Sequence, residues 1–209
     1  ISVNGEQQIP AKMRKQPWKE GVGGKVLEFR TATNRDYVLM DPTNAYPKAE
    51  LKGWRRHVTL DKPEITVVLD EVSAAPGAEI RARFHSEATA TPKGSYVLLD
   101  DTAGTMALIP FADGGLKLET GRHACQPINA TVNFFWVPYV DSVVKAPAAK
   151  TILGAVVLPV SGDAEAKEIA RSVKHAADAA GNVTVSLKKS GKSYSYRYVK
   201  GAEGLVLEK

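Results

Sequence analysis

The sequence is poor in cysteine, histidine and long apolar runs, and each shortage excludes a class of protein. The single cysteine, Cys125, has no partner for an internal disulfide and rules out a cysteine metal cluster. The four histidines are far apart and lack the helical spacings that bind zinc. No apolar run approaches the length of a membrane span, and TILGAVVLPV at 151–160 predicts a core strand at most. The sequence also lacks a phosphate-binding glycine loop with its lysine and a strand–turn–helix nucleophile elbow.

Length and charge narrow the remaining classes. The 209 residues are enough to form a stable hydrophobic core without disulfides or bound metal ions. We predict a single domain over 1–209. The chain has 28 Lys and Arg against 23 Asp and Glu, and its net charge of +5 favours a polyanionic partner over a polycationic one. The same excess is also typical of ordinary solubilising charge. We predict no nucleic-acid partner.

Short strand patterns fill the chain from Trp54 onward. WRRHVTL (54–60) and EITVVLDEVSA (64–74) flank the turn DKP, and two later strands predict a hairpin about Ser190 and Gly191. About ten strands at regular spacing indicate an antiparallel sandwich. We therefore predict an all-β fold, an antiparallel multi-stranded β-sandwich of the supersandwich type.

One segment departs from the strand pattern. DAEAKEIARSVKHAADAAG is rich in Ala, Glu and Lys and carries apolar residues at helical spacing. It predicts one short amphipathic helix over residues 163–180, lying against the sandwich, with Asp163 as its N-cap and Gly181 at its end.

A cationic row is predicted on one strand. AEIRARFHSE (78–87) alternates apolar and polar residues, so Arg81, Arg83 and His85 share a face. Such a row could bind carboxylates or sulfates through bidentate hydrogen bonds. A solvated outer face of the sheet explains the same pattern equally well.

A tyrosine row is predicted near the C-terminus. Tyr194, Tyr196 and Tyr198 recur at period two and share one side of the predicted hairpin. They could form a platform for stacking sugars, but a half-buried sheet face needs the same pattern. We favour the half-buried face.

Four short sequence motifs follow one another along the chain in an order that indicates a family: ISVNGEQQ, RDYVLMDPTNAY, WRRHVTLDKPEITVVLDEVSA and AEIRARFHSE. Together they resemble the C-terminal domain of the heparinase II/III family of polysaccharide lyases. The resemblance extends to about Pro159. The matching positions are Gly5 and Gln8 in a turn, Asp41 and Tyr46 in a loop, Arg56 and Asp70 on neighbouring strands, and His85 near a strand end.

The resemblance implies a larger enzyme. Members of the family carry an N-terminal α/α toroid before this sandwich, and the chain would begin just after a His-Asn-Thr stretch whose histidine binds zinc. The resemblance therefore implies a toroid for the sandwich to pack on and zinc in the complete protein, with no cofactor in this chain. It also implies a periplasmic or secreted location.

The family's reaction is β-elimination on a uronic-acid polysaccharide, either heparin- or heparan-sulfate-like or alginate. Most of its catalytic groups come from the toroid and from the region before Ile1, so we assign no catalytic residue and expect this chain alone to be inactive. By their match to the family, Gln8, Tyr46 and Arg56 are expected to face the substrate.

Two other functions remain open from the residues alone. A stand-alone carbohydrate-binding or structural sandwich would use the basic strand face or the tyrosine row. A cell-surface interaction module would need only the sandwich and would bind a protein partner.

Overall fold

The computed structural model describes residues 1–6, 23–46, 50–125 and 135–208, and these form strands with one α-helix. The helix, α1, spans Asp163–Ser172. The strands of the described residues, β1 to β16 in chain order, span Ser2–Val3, Lys25–Thr31, Arg35–Asp41, Gly53–Asp61, Ile65–Ser73, Glu79–His85, Thr89–Pro92, Val97–Asp101, Gly104–Ala112, Leu116–Cys125, Phe135–Lys145, Lys150–Val160, Lys174–Ala177, Val183–Lys189, Lys192–Lys200 and Leu205–Leu207.

The strands form three antiparallel sheets. Sheet A has the order β1-β6-β11-β10, and the eight-stranded sheet B has the order β2-β3-β4-β5-β12-β9-β8-β7. Sheet C has the order β13-β14-β15-β16. The predicted all-β fold is confirmed, and the third sheet makes the C-terminal region an additional layer.

Sheet B is the middle layer, and its central strand β5 is buried on both faces. Along β5, Val67 and Leu69 belong to a core shared with sheet C, whereas Val72 belongs to a core shared with sheet A. Each fully buried aliphatic side chain of this kind contributes about 1.5–3 kcal/mol relative to exposure. Two-sided burial explains why β5 appears in the sequence as a nearly continuous apolar run.

Close packing in sheet B also requires one glycine. A Cβ added at Gly154 in β12 would lie 2.1 Å from the carbonyl oxygen of Val68 and 2.6 Å from the ring of Phe111. The Phe111 ring therefore occupies the space that a side chain at position 154 would need.

A buried polar network joins sheets B and C. The hydroxyl of Tyr37 lies 2.9 Å from Nδ1 of His57, and Nε2 of His57 lies 3.1 Å from Glu71 Oε1. The backbone N–H of Leu205 in β16 donates to the same carboxylate oxygen at 3.0 Å, and Lys150 forms an ion pair with the other oxygen. The network satisfies groups that would be costly to bury alone, and it fixes β16 against the middle layer.

The tyrosine row belongs to this same interface. Tyr196 and Tyr198 are 1% and 0% exposed, and their hydroxyls lie 3.0 Å from Asp61 Oδ2 and 3.2 Å from Thr59 Oγ1. The interpretation as a packed sheet face is therefore right. A platform for stacking sugars is excluded because these two rings are inside the protein.

The predicted hairpin is confirmed. Strands β14 and β15 pair in register from Val183↔Tyr198 to Lys189↔Lys192. The connecting residues Ser190 and Gly191 both have positive φ, 49° and 75°, as a two-residue type I′ turn requires.

The helix is present but shorter than predicted. It ends at Ser172, not near residue 180, because Val173 adopts an extended backbone and β13 then pairs with β14. The Ser172 hydroxyl accepts a hydrogen bond from the Lys188 N–H at 2.9 Å, which ties the end of the helix to sheet C. The N-cap is Gly162 rather than Asp163, whose carboxylate accepts a hydrogen bond from the Tyr96 hydroxyl at 2.7 Å.

Among the described residues, no helix is both long enough and apolar enough to cross a membrane.

The Glu71 network predicts a specific pH dependence of stability. Burial acts to raise the pKa of Glu71, but hydrogen bonds from His57 and Lys150 outweigh it and lower the pKa to about 2. A depressed carboxyl pKa contributes stability above its ordinary value near 4.5, and this contribution is lost as pH falls towards 2. We expect Glu71→Gln to reduce the free energy of unfolding by about 2 kcal/mol at neutral pH and by less in acid.

Urea unfolding of both proteins between about pH 7 and about pH 3 measures this difference. The matched control is Glu203→Gln, since the Glu203 side chain is 81% exposed and should show almost no effect. A Glu71→Gln effect of constant size across this pH range would contradict the assignment.

Candidate functional site

The outer face of sheet A carries the predicted cationic row. Strand alternation places Arg81, Arg83 and His85 of β6 on the face turned away from sheet B, whereas Ile80 and Ala82 enter the core. On the neighbouring strand β11, the register sets Asp141 opposite Arg83 and Tyr139 opposite His85.

Both arginines of the row are held by carboxylates of this chain. Arg83 donates two hydrogen bonds to Asp141, at 2.8 and 2.7 Å, and Asp141 is 1% exposed. Arg81 donates to Glu79 at 2.7 Å and to Glu119 at 2.5 Å. These hydrogen bonds raise the pKa of both guanidinium groups, so the positive charges are permanent but already matched.

Tyr139 completes this surface. The Arg83 guanidinium lies 3.6 Å from the centre of the Tyr139 ring, and a Cβ added at Gly121 would lie 2.5 Å from the Tyr139 hydroxyl. Glycine at position 121 therefore gives the ring room to lie across β10, where Arg83 stacks on it.

A cleft of about 420 Å³ opens beside β1 at the edge of sheet A. It brings together residues from five separate parts of the chain. The lining residues are Ile1, Ser2, Gly5, Tyr46, Arg81, Arg83, His85, His123 and Asp141.

Tyr46 reaches the cleft from a loop that is anchored to β4. The loop forms a short 3₁₀ turn, Thr43–Ala45, in which the Thr43 N–H donates to the Asp41 carboxylate at 3.0 Å. The Trp54 N–H donates to the Thr43 hydroxyl at 2.8 Å, and the Tyr46 ring packs edge-on against the Trp54 ring at 5.3 Å. Burial raises the pKa of Tyr46 and the charge of Arg56 partly offsets this, so the hydroxyl stays protonated at neutral pH.

Arg56 forms an ion pair with Asp70, the matching position on the neighbouring strand. Its guanidinium donates two hydrogen bonds to the Asp70 carboxylate, both at 2.8 Å, and the Trp54 indole N–H donates to the same carboxylate at 2.7 Å. Asp70 is fully buried, and the Arg56 side chain is 24% exposed. Arg56 also stacks 4.9 Å from the Trp54 ring, so Trp54 lies between Arg56 and Tyr46.

The three residues predicted to face substrate have different positions. Tyr46 lines the cleft, whereas Arg56 lies beside it and contacts Trp54 and Asp70. Gln8 lies outside the described residues. The substrate-facing role of all three stays a prediction.

Of the two histidines of the cleft, the sequence analysis placed His85 in the cationic row and did not single out His123. The alternation that put His85 beside Arg83 was visible in the sequence. The position of His123 depends on the pairing of β10 with β11, which no local pattern indicates. Among the residues that the structure describes, no three His, Cys, Asp or Glu side chains gather as a metal site would require.

Comparison with known proteins gives matches in structure only. No protein-family model matches the chain, and no curated protein matches its sequence. Several solved structures share its fold. A heparinase III gene product is 18% identical over 84% of this chain with a TM-score of 0.62, and a second heparinase III is 14% identical over 84% with a TM-score of 0.64.

The heparan sulfate lyase HepC from Pedobacter heparinus is 14% identical over 88% of this chain, with a TM-score of 0.63. The chain spans only 27–28% of the length of these proteins. At such low identity the likeness establishes the fold that this chain shares with a part of each protein.

The Arg56–Asp70 pair yields a stability prediction. Asp70→Asn removes the charge that holds a largely buried guanidinium, and breaking a buried pair on one side is strongly destabilising. We expect the free energy of unfolding, measured in urea, to fall by about 3 kcal/mol. Glu208→Gln is the matched control, because Glu208 pairs with Arg197 where both side chains are about half exposed, and it should cost less than about 1 kcal/mol. Equal losses in the two variants would show that Asp70 does not anchor this site.

Proposed function

We propose that this chain is the β-sandwich part of a heparinase II/III-like polysaccharide lyase, which acts by β-elimination on uronic-acid-containing polysaccharides. The observation that carries the proposal is the fold shared with heparinase III and a heparan sulfate lyase over 84–88% of the chain. One fold can serve many functions, so the cleft beside β1 supplies the second line of support.

In this proposal the chain binds substrate and does not transfer protons. β-Elimination needs a neutralised C5 carboxylate, a base for the C5 proton and an acid for the departing oxygen. Because burial raises the pKa of Tyr46, its hydroxyl is suited to donate a hydrogen bond to a glycan oxygen rather than to act as the base. Arg56 acts indirectly, by holding Trp54 against the Tyr46 ring.

The remainder of the larger enzyme would provide the proton-transfer groups and any zinc. Export to the periplasm or the exterior belongs to the same proposal, since acidic polysaccharides of this kind are extracellular. Cell fractionation with an antibody to this chain tests the location.

An exposed apolar face on sheet B supports packing against further polypeptide. Val26 and Phe29 on edge strand β2 are each 66% exposed, and a bulge next to Val26 lets both share one face although they are three residues apart. They pair with Met40 and Val38 of β3, which are only half-buried on the side opposite the Tyr37 core. Since the chain spans about a quarter of the matched enzymes, we assign this face to the rest of the lyase.

This assignment is testable with a paired substitution. Val26→Ser with Phe29→Ser should leave the thermal stability of the isolated chain nearly unchanged, because both side chains are largely exposed there. In the larger native polypeptide the same change should lower the unfolding temperature, by about 2 °C or less for each 1 kcal/mol lost because the unfolding entropy grows with chain length. Met106→Ser, at a 40% exposed position of β9, is the control and should have little effect in either form. A native polypeptide no larger than this chain on an immunoblot would overturn the assignment.

The function itself is tested by incubating the 209-residue chain with heparan sulfate and with alginate. We expect saturable binding by calorimetry and no new ultraviolet absorbance from an unsaturated uronate. Tyr46→Phe should weaken binding about fivefold, since one hydrogen bond is lost, whereas Tyr194→Phe, on the hairpin of sheet C, should bind like the parent.

The outcomes separate the alternatives. Elimination by the chain alone would show that proton transfer takes place on these residues. Glycan binding by a chain with no larger native form would favour a stand-alone carbohydrate-binding module. Absence of binding to both polysaccharides would contradict the proposed substrate-facing role.

A further inference from the structure

The permanent charges of the cleft are balanced within the protein. Arg83 is bound on two N–H groups by Asp141, and Arg81 by Glu79 and Glu119. Hydrogen bonds from Lys117 and Arg81 lower the pKa of Glu119 to about 2, so this carboxylate stays ionised throughout the neutral and mildly acid range. An acidic ligand in the cleft would therefore meet arginines that already form ion pairs with carboxylates of the protein.

His85 and His123 place two imidazole rings in the cleft. Both rings line the cleft and are exposed, and their centres are 6.2 Å apart. They extend from β6 and β10, the two strands that flank β11, so both imidazoles stand over the same part of sheet A. A single carboxylate or sulfate group can bridge such a gap with an N–H···O bond of about 2.8 Å on each side.

Charged and titratable groups surround the two rings on three strands and one loop. Strand β6 contributes Arg81 and Arg83, and β11 contributes Tyr139 and Asp141. Strand β10 contributes Lys117 and Glu119, and the loop that carries Tyr46 also borders the cleft. The α-amino group of Ile1 also borders the cleft, and burial lowers its pKa to about 6. It would titrate in the same range as a histidine, so it must be blocked in any test.

We infer that His85 and His123 form an anion-binding subsite of the cleft, which binds an acidic group of a glycan when the imidazoles are protonated. The inference rests on the proposed function, because it assumes that an acidic polysaccharide enters this cleft. Histidine is the side chain whose charge changes between pH 5 and 8. Binding of the anion should therefore strengthen as pH falls through that range and should be accompanied by proton uptake.

The test uses the 209-residue chain with its N-terminus acetylated, so that Ile1 carries no titrating amine. Calorimetry at constant ionic strength would measure the affinity for alginate, which carries only carboxylates, and for heparan sulfate, which also carries sulfates. The two conditions are about pH 5.5 and about pH 8, on either side of the histidine range. The variants are His85→Gln, His123→Gln and the double substitution, all at exposed positions.

The matched control is His175→Gln. His175 lies on β13 beside Phe111, with Nε2 3.2 Å from Asp113, and it does not line the cleft. A cooperative thermal unfolding transition well above the assay temperature, for every variant at both pH values, shows that folded chains are being compared.

We expect the parent chain to bind the glycan roughly fivefold more tightly at the lower pH for each imidazole that contacts the anion. This is the gain in affinity that an exposed ion pair can supply. The double variant should lose this gain, each single variant should lose part of it, and His175→Gln should retain it. A gain with heparan sulfate alone would identify sulfate as the bound group, whereas a gain with both would identify carboxylate.

If binding is equally pH-dependent in the parent and the double variant, or independent of pH in both, the subsite is refuted while the proposed function stands. If neither glycan binds at either pH, the proposed function fails and the subsite fails with it.

Discussion

Two neighbouring carboxylates on the central strand impose the main constraint on this fold. Asp70 and Glu71 follow each other on β5, so they point to opposite faces of sheet B, and both faces are buried. A buried carboxylate requires a cation and hydrogen bonds, because the cost of leaving it unpaired exceeds the stability of many domains. Arg56 and Trp54 satisfy Asp70 on the side of sheet A, whereas His57 and Lys150 satisfy Glu71 on the side of sheet C. Glu71 also accepts a hydrogen bond from the Leu205 N–H of β16 and so ties sheet C to the middle sheet. Asp70 instead fixes Arg56 and Trp54 of β4 on the face that sheet A covers.

This arrangement connects the core to the cleft. The chain of contacts runs from Asp70 to Trp54, and from Trp54 to the ring of Tyr46, which forms part of the cleft wall. Tyr46 lies on a loop, but its position depends on a buried ion pair and on hydrogen bonds between Thr43 and the backbone of β4. Binding residues on loops are commonly positioned by a rigid scaffold in this way, which limits the entropy lost when a ligand is bound.

The sequence predicted those features of the fold that depend on neighbouring residues, such as the faces of a strand and the position of a turn. The alternation at 80–85 assigned residues to the correct faces of β6, and Ser190 and Gly191 predicted the hairpin because a glycine between two alternating strands favours a tight turn. The helix was extended too far because Ala-rich sequence at helical spacing continued past Ser172, where pairing of β13 with β14 outweighed helix propensity. The meeting of Arg56 with Asp70 depends on the exact register of the β4–β5 hairpin, whereas the meeting of His85 with His123 depends on strand pairing between distant segments. Periodicity within one segment does not encode such pairing, so the candidate site was predicted only in part.

Charge balance in the cleft follows from the same pairing. The arginines of β6 look like free cations in the sequence, but the register places Asp141 of β11 directly opposite Arg83, and Glu119 of β10 pairs in turn with Asp141. Like charges directly opposite on adjacent strands are destabilising, and Arg81, which forms ion pairs with both Glu119 and Asp141, offsets the repulsion between these two carboxylates. The consequence for recognition is that the arginines give the cleft shape and hydrogen-bond geometry more than net positive potential. A polyanion would then be attracted mainly by groups without a fixed counter-charge, and selectivity among acidic glycans would depend on where those groups stand along the cleft.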